Sequence, residues 1–125
     1  MSRNKKFEGQ IGYCKNSTLG ITDKHNNIIS GGHYVYIREI TGNKCNVNVI
    51  SSLEDRTGRY KVHRIKKIRR GYLYPIPKND ATFPLWSAIN LDGNIKDIKI
   101  SDIKDIGKIK MKRRHKFYVG KFTKK

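Results

Sequence analysis

HYVYIREI at residues 33–40, TGNK at 41–44 and CNVNVIS at 45–51 are the stretch on which the fold turns. In the first segment β-branched and aromatic residues alternate against His33, Arg38 and Glu39, the period of a half-buried strand. The second has the chemistry of a hairpin turn. The third returns with Cys45, Val47 and Val49 on one face and Asn46, Asn48 and Ile50 on the other. Two adjacent antiparallel strands are therefore expected.

Working outward toward the N-terminus, residues 1–6 read as a flexible basic tail, and 7–15 as an opening strand with Ile11 and Tyr13 on one side. Between 16 and 32 the chain turns polar, through NST, DKHNN and SGG. This implies a long surface connection, or a hairpin around Asn26 and Asn27, that ends in Gly31 and Gly32. His25 within it reads as a plain surface histidine. Toward the C-terminus, Tyr72, Tyr74 and Ile76 alternate with Gly71, Leu73 and Pro75, and the prolines confine that strand to a sheet edge or a strand end. Residues 84–89 form a short apolar strand or turn whose Trp86 belongs to the core. Asp92-Gly93 makes a turn, 95–100 alternates as a strand, 101–106 fits a single helical turn capped by Ser101, and 116–122 is a last strand. So many short strands at close spacing predict a mostly β fold: a small, curled, antiparallel barrel with one or two short helical turns. At 125 residues and 36% hydrophobic content, 7–125 is expected to be one domain with a basic C-terminal strand.

Charge narrows the function. The stretch RTGRYKVHRIKKIRRGYLYPIPK, residues 56–78, carries nine bases and no acid, and so does 108–125. Those two runs hold 18 of the 28 Lys and Arg, and the remaining 10 are balanced by 10 Asp and Glu, so the whole +18 excess is local. In the first run Val62, Ile65 and Ile68 recur every third residue, leaving Arg64, Lys66, Lys67, Arg69 and Arg70 for solvent until Gly71 stops the turn. A charged ridge beside an aromatic edge suits single-stranded nucleic acid, with phosphates on Lys and Arg and bases on Tyr. The expected contacts are Arg56, Arg59, Lys61, Arg64, Lys66, Lys67, Arg69, Arg70, Tyr72, Tyr74 and Lys78, joined by Lys112, Arg113, Arg114 and Lys116 of the second run. RNA is favoured over DNA as the partner. A membrane partner is not expected, because no apolar run approaches the roughly 20 residues of a span and neither basic run has a broad apolar face.

Other chemistries find little footing. Cys14 and Cys45 lie apart with no CxxC or His-rich neighbourhood, which predicts reduced, strand-buried thiols and no zinc site. There is no Gly-rich phosphate loop, no metal-ligand spacing and no nucleophile elbow, so no cofactor and no metal are expected. Glu54 and Asp55 are adjacent and form no catalytic dyad. His63 and His115 each sit inside a basic run, the residue types of a ribonuclease acid/base pair. The opening MSRNKKFEGQ lacks an apolar segment of the signal-peptide kind, and the expected compartment is the cytoplasm. The Lys, Asn and Ile content suits an AT-rich bacterial genome, or a mobile genetic element.

A family resemblance rests on five segments: Gly-x-Ile at 9–11, the Gly31-Gly32 end of the first connection, the aliphatic strand at 35–40, Val-Ile-Ser-Ser at 49–52 and ISDIKDI at 100–106. Their order resembles that of the MazF/PemK toxins. The resemblance implies an SH3-like barrel, commonly a homodimer, that acts on RNA as a metal-independent endoribonuclease paired with an antitoxin. It also implies a catalytic pair, an Arg from a Gly-Gly-x-Arg-Pro element and a hydroxyl from the following strand. Ser51 matches the hydroxyl position. Tyr34 and Val35 stand where Arg and Pro would be, so His33 or Arg38 would have to substitute, and a histidine is chemically suited because its pKa lies near working pH.

Three functions follow. The first is a nucleic-acid-binding barrel without catalysis, favoured because the family's Arg is missing. The second is a MazF-like endoribonuclease using Ser51 with His33 or Arg38. The third is an inhibitor of a nucleic-acid-processing complex, docking its basic surface on an acidic protein.

Overall fold

The computed structural model of the chain describes residues 6–53, 59, 61, 66, 73–76, 87–91 and 94–109. Over these it is mostly β, a six-stranded antiparallel sheet. The elements are β1 (Ile11–Lys15), α1 (Asn16–Leu19), β2 (Gly32–Thr41), β3 (Lys44–Ser52), β4 (Leu73–Ile76), β5 (Ser87–Asn90) and β6 (Ile95–Lys99), followed by a 3-10 turn at Ile100–Asp102.

The expected hairpin is the frame. β2 and β3 pair from Thr41↔Lys44 at the turn to Tyr34↔Ile50, with one irregularity between Ile37 and Glu39 that leaves Arg38 as the extra residue of a bulge. β1 lies on the other edge of β2, and the backbone of Gly9 and Gln10 extends that pairing to Ile37 (2.7 and 2.9 Å). The second edge of β3 is divided. Its first half pairs with β6 through Lys44↔Lys99, Cys45↔Ile98 and Val47↔Ile95, and its last residues pair with β5 through Ile50↔Ile89, Ser51↔Ala88 and Ser52↔Ser87. Asn48 sits at the fork between those two partners. Its side-chain Nδ2 donates to the Asn90 carbonyl at the end of β5 (2.8 Å), supplying a bond where no ladder partner stands. Among the described residues β4 pairs only with β5, the edge position that Pro75 predicts.

Period-two alternation sorts the side chains into two clusters. One face packs Cys14, Val35, Ile37, Ile40, Cys45, Val47 and Ile98 with Leu19, Ile100 and Ile103. The other packs Ile11, Tyr36, Ile50, Ile76 and Ile89, with Tyr74, Leu91 and Ile109 against them. Each face buries aliphatic side chains whose transfer from water is worth about 1.5–3 kcal/mol apiece. Both thiols are reduced and buried.

Past the 3-10 turn, Lys104 pairs antiparallel with Tyr13, the two backbones exchanging hydrogen bonds at 2.8 Å, and the Gly107 N–H reaches the Ile11 carbonyl at 3.0 Å. β1 thus has neighbours on both edges. This approach explains Gly12, where a Cβ would collide with Ile103 Cγ2.

Several expectations shift. The turn expected at 101–106 with Ser101 as its cap starts earlier: Ile100 opens it, Lys99 occupies the cap position, and no side chain caps it. The strand at 7–15 begins at Ile11, after a turn. The polar connection at 16–32 opens with a helical turn and then folds on itself. Thr22 and Ile28 form a bridge, and the Asp23 carboxylate accepts the N–H groups of His25 and Asn27 (2.8 and 3.1 Å), so the hairpin is where Asn26 and Asn27 place it. Trp86, the helix-like spacing of Val62, Ile65 and Ile68, and the strand at 116–122 lie outside the described residues.

Candidate nucleic-acid interface

The hydrophobic alternation that buries Cys14 and Val35 turns Tyr13, Lys15, Tyr34 and Ile50 to the opposite side of the sheet. Cross-strand register then aligns them. Tyr13 faces Tyr34, Tyr34 faces Ile50, Ile50 faces Ile89, and Ile89 faces Tyr74, a single row across five strands. Lys104, opposite Tyr13, extends the row by one cation. The middle of the row is closed, with Ile50 at 4% and Ile89 at 0% exposure, whereas Tyr34 at 37% is among the most exposed large hydrophobic side chains described.

Tyr13 and Tyr34 meet edge to face, ring centroids 5.5 Å apart and planes at 74°. Such pairs gain about 0.5–1.5 kcal/mol beyond their burial, which holds an exposed ring in one orientation. Tyr13 also lies against Gly32. A Cβ there would meet its ring and hydroxyl at 2.8 Å and collide with the Cys14 carbonyl. Any other residue at 32 would push the ring away.

A depression lies on either side of the tyrosine pair. Beside Tyr13 is a polar groove of about 360 Å³, lined by Lys15 and Lys104, the hydroxyl residues Ser17, Thr18 and Ser101, and Asp102. Beside Tyr34 is an apolar notch of about 70 Å³ between Ile11 and Ile109, rimmed by Asp105 and Lys108, which pair at 3.1 Å.

Two of the expected contacts reach this face. The Lys61 backbone N–H bonds the Leu53 carbonyl at 2.7 Å, and its Nζ donates to Ser52 Oγ at 3.2 Å, on the side of β3 that carries Ile50. Tyr74 occupies the far end of the row, half-buried against the cluster of Ile50 and Ile89. Arg59 and Lys66 are exposed. The remaining expected contacts, Arg56, Arg64, Lys67, Arg69, Arg70, Tyr72, Lys78, Lys112, Arg113, Arg114 and Lys116, lie outside the described residues, as do His63 and His115.

Of the residues proposed for catalysis, His33 and Ser51 lie one residue beyond the last β2–β3 pair, Tyr34↔Ile50, and Arg38 lies in the bulge. His33 Nδ1 lies 2.6 Å from Asn16 Oδ1, while Asn16 Nδ2 donates to the Ser30 carbonyl at 3.3 Å. With the amide oriented that way its oxygen can only accept, so Nδ1 carries the proton of this hydrogen bond. Arg38 stands in the bulge five residues further along β2, roughly 17 Å of strand away, and is not brought to Ser51.

Cys14 faces His33 directly in the β1–β2 register, which joins a thiol, an imidazole and an amide. The trio is structural. Cys14 is 1% exposed, and burial, with the Asp102 charge second, pushes its thiol pKa above the ordinary value. A nucleophilic thiol needs the opposite environment. Burial, seconded by Cys14, likewise raises Cys45 to about 11.

Among the described residues no three His, Cys, Asp or Glu side chains gather to hold a metal, and no helix is long and apolar enough to cross a membrane. No protein-family model matches the chain, and no curated protein matches it.

The tyrosine pair, Lys15, Lys104 and Asp102 do not stand out in the sequence, because they are spread over 13–104 and lie outside the two dense basic runs. Their signal was present in register. Tyr13 and Lys15 share a strand face by spacing, and Tyr34 joins them only once Gly32 is known to pair with Lys15.

Proposed function

We propose that the chain is a small SH3-like barrel that binds single-stranded nucleic acid without cleaving it. The pairing of Tyr13 with Lys104 supports the barrel, since it leads the chain from β3 through β6 and the 3-10 turn back to β1. The observation that carries the binding is an oriented tyrosine pair, Tyr34 exposed and Tyr13 half-buried beside Lys15 and Lys104, in a chain of net charge +18. Stacking surfaces flanked by mobile cations serve nucleobases and phosphates together. The clustered charge gives affinity that falls by about 0.7 in log K per phosphate neutralised on a single strand for each decade of salt.

The test is gel retention of mixed-sequence single-stranded RNA in EDTA at two salt concentrations. Intact RNA should be retained at low salt and released at high salt, and reversing the charges of Arg64, Lys67, Arg69 and Arg70 together should abolish retention. Retention unchanged by those four reversals would refute a binding role for the first basic run.

A second reading, a MazF-like endoribonuclease, is favoured by one observation, the Asn16–His33 bond that orients an imidazole one residue beyond the last β2–β3 pair, as Ser51 is on β3. On the same gel it requires metal-independent cuts at preferred sequences that Ser51→Ala and His33→Ala each remove.

A further inference from the structure

The groove beside Tyr13 contains a feature that a simple phosphate cleft would avoid. Lys15 and Lys104 suit phosphates, yet Asp102 adds a carboxylate to the same lining, beside the hydroxyl residues Ser17, Thr18 and Ser101. A carboxylate facing a polyanion is repulsive unless the ligand presents a hydrogen-bond donor to it, and ionised Asp can only accept. Among the donors of a nucleic acid, base N–H groups vary with sequence, whereas the ribose 2′-hydroxyl recurs at every RNA residue and is absent from DNA. The two lysines offset the repulsion from flanking phosphates. A groove of about 360 Å³ lies at the small end of the ligand-pocket range, a size for one nucleotide.

Resting on the nucleic-acid reading above, we infer that this groove is a ribonucleotide subsite: one base stacks on Tyr13, the ring that lines the groove, the adjoining phosphates lie on Lys15 and Lys104, and the ribose 2′-hydroxyl donates to Asp102. The tyrosines supply sequence-tolerant affinity. Asp102 supplies the distinction between RNA and DNA, because only RNA satisfies the carboxylate that both polymers must desolvate.

The test uses the full chain and three fluorescent 12-mers of one sequence, as RNA, as 2′-O-methyl RNA and as DNA with deoxyuridine for thymidine, read by anisotropy in EDTA. RNA should bind about tenfold more tightly than either of the others, the discrimination expected of one hydrogen bond to a charged group. Asp102→Asn should shrink that ratio to about twofold or less, mainly by weakening RNA. Tyr13→Ala should weaken all three oligonucleotides by about tenfold, as the loss of one stacked base does. A tenfold preference that survives Asp102→Asn overturns the assignment, and so does an Asp102→Asn change in base preference with the sugar preference intact. Equal binding of RNA and its 2′-O-methyl form overturns it with no variant involved, so protein folding cannot confound the answer. Failure of the wild-type chain to bind any of the three at low salt would instead defeat the broader nucleic-acid reading.

Discussion

The two faces of β1 and β2 are built from interleaved residues of the same segments, yet they do opposite things. On one side Cys14, Val35 and Ile37 are no more than 1% exposed and pack against Cys45, Val47 and Ile103. On the other, one residue along, Tyr13, Lys15 and Tyr34 border two depressions. The difference shows how little chain separates a closed core from an open surface, since Ile11 and Tyr36 on the second face are themselves buried beside these residues. A slip of one residue in register would exchange them, putting tyrosine and lysine into the core and thiols into water.

That contrast can be broken first where it is strongest. Ile37→Ala, at a position with 0% exposure, should lose about 2–5 kcal/mol of stability in chemical denaturation and leave the RNA affinity of the remaining folded protein unchanged. A parallel loss of intrinsic affinity would mean that the two faces are coupled. The next effect appears in alkali. Cys45 holds its proton to about pH 11 when folded against an ordinary value of 9.0, so the folded state binds more protons than the unfolded one between those limits. The resulting stabilisation is complete below pH 9 and is lost as pH rises toward 11, on the order of 2–3 kcal/mol. Comparing urea midpoints at pH 8 and pH 11 should show a steeper fall for the wild type than for Cys45→Ala.

Gly12→Ala sharpens the comparison from a third side. The new methyl would strike Ile103, and the Lys104 carbonyl 3.3 Å away limits any retreat, so a loss of about 1–3 kcal/mol in thermal unfolding is expected. The smallest structural effect belongs to the open face. Tyr34→Ala should change stability by no more than about 1 kcal/mol, the value of its edge-to-face contact, while weakening nucleic-acid binding about tenfold.

How much of this could be read beforehand follows from the range of each interaction. The β2–β3 hairpin was legible because its alternation and its turn are local, and the faces of Cys45, Val47 and Val49 came with it. The edge placement of β4 was legible in Pro75. The return of Lys104 to Tyr13 was not, since it depends on a missing side chain at Gly12, and a glycine in a strand announces close approach without naming the visitor. The candidate site was obscured for the same reason. Asp102 lies in a segment where acids interleave with lysines, and only pairing across the sheet brings it to the groove that Lys15 and Tyr13 share. His33 and Ser51 were linked by family order, and they lie one residue beyond the last β2–β3 pair, Tyr34↔Ile50, while Arg38 lies in the bulge further along β2.

The fork at Asn48 has a consequence for the order in which the structure comes apart. β3 is hydrogen-bonded on both edges, to β2 along most of its length and to β6 and β5 in succession on the other side, whereas among the described residues β4 pairs only with β5, and β5 is held to β3 by the ladder positions from Ile50 to Ser52. Opening that short ladder releases β4 and β5 together and leaves β1, β2, β3 and β6 paired. Amide deuteration should therefore proceed in two tiers, with β4 and β5 exchanging through a partial opening and the amides of β3 at Cys45 and Val47 waiting for the whole molecule to unfold.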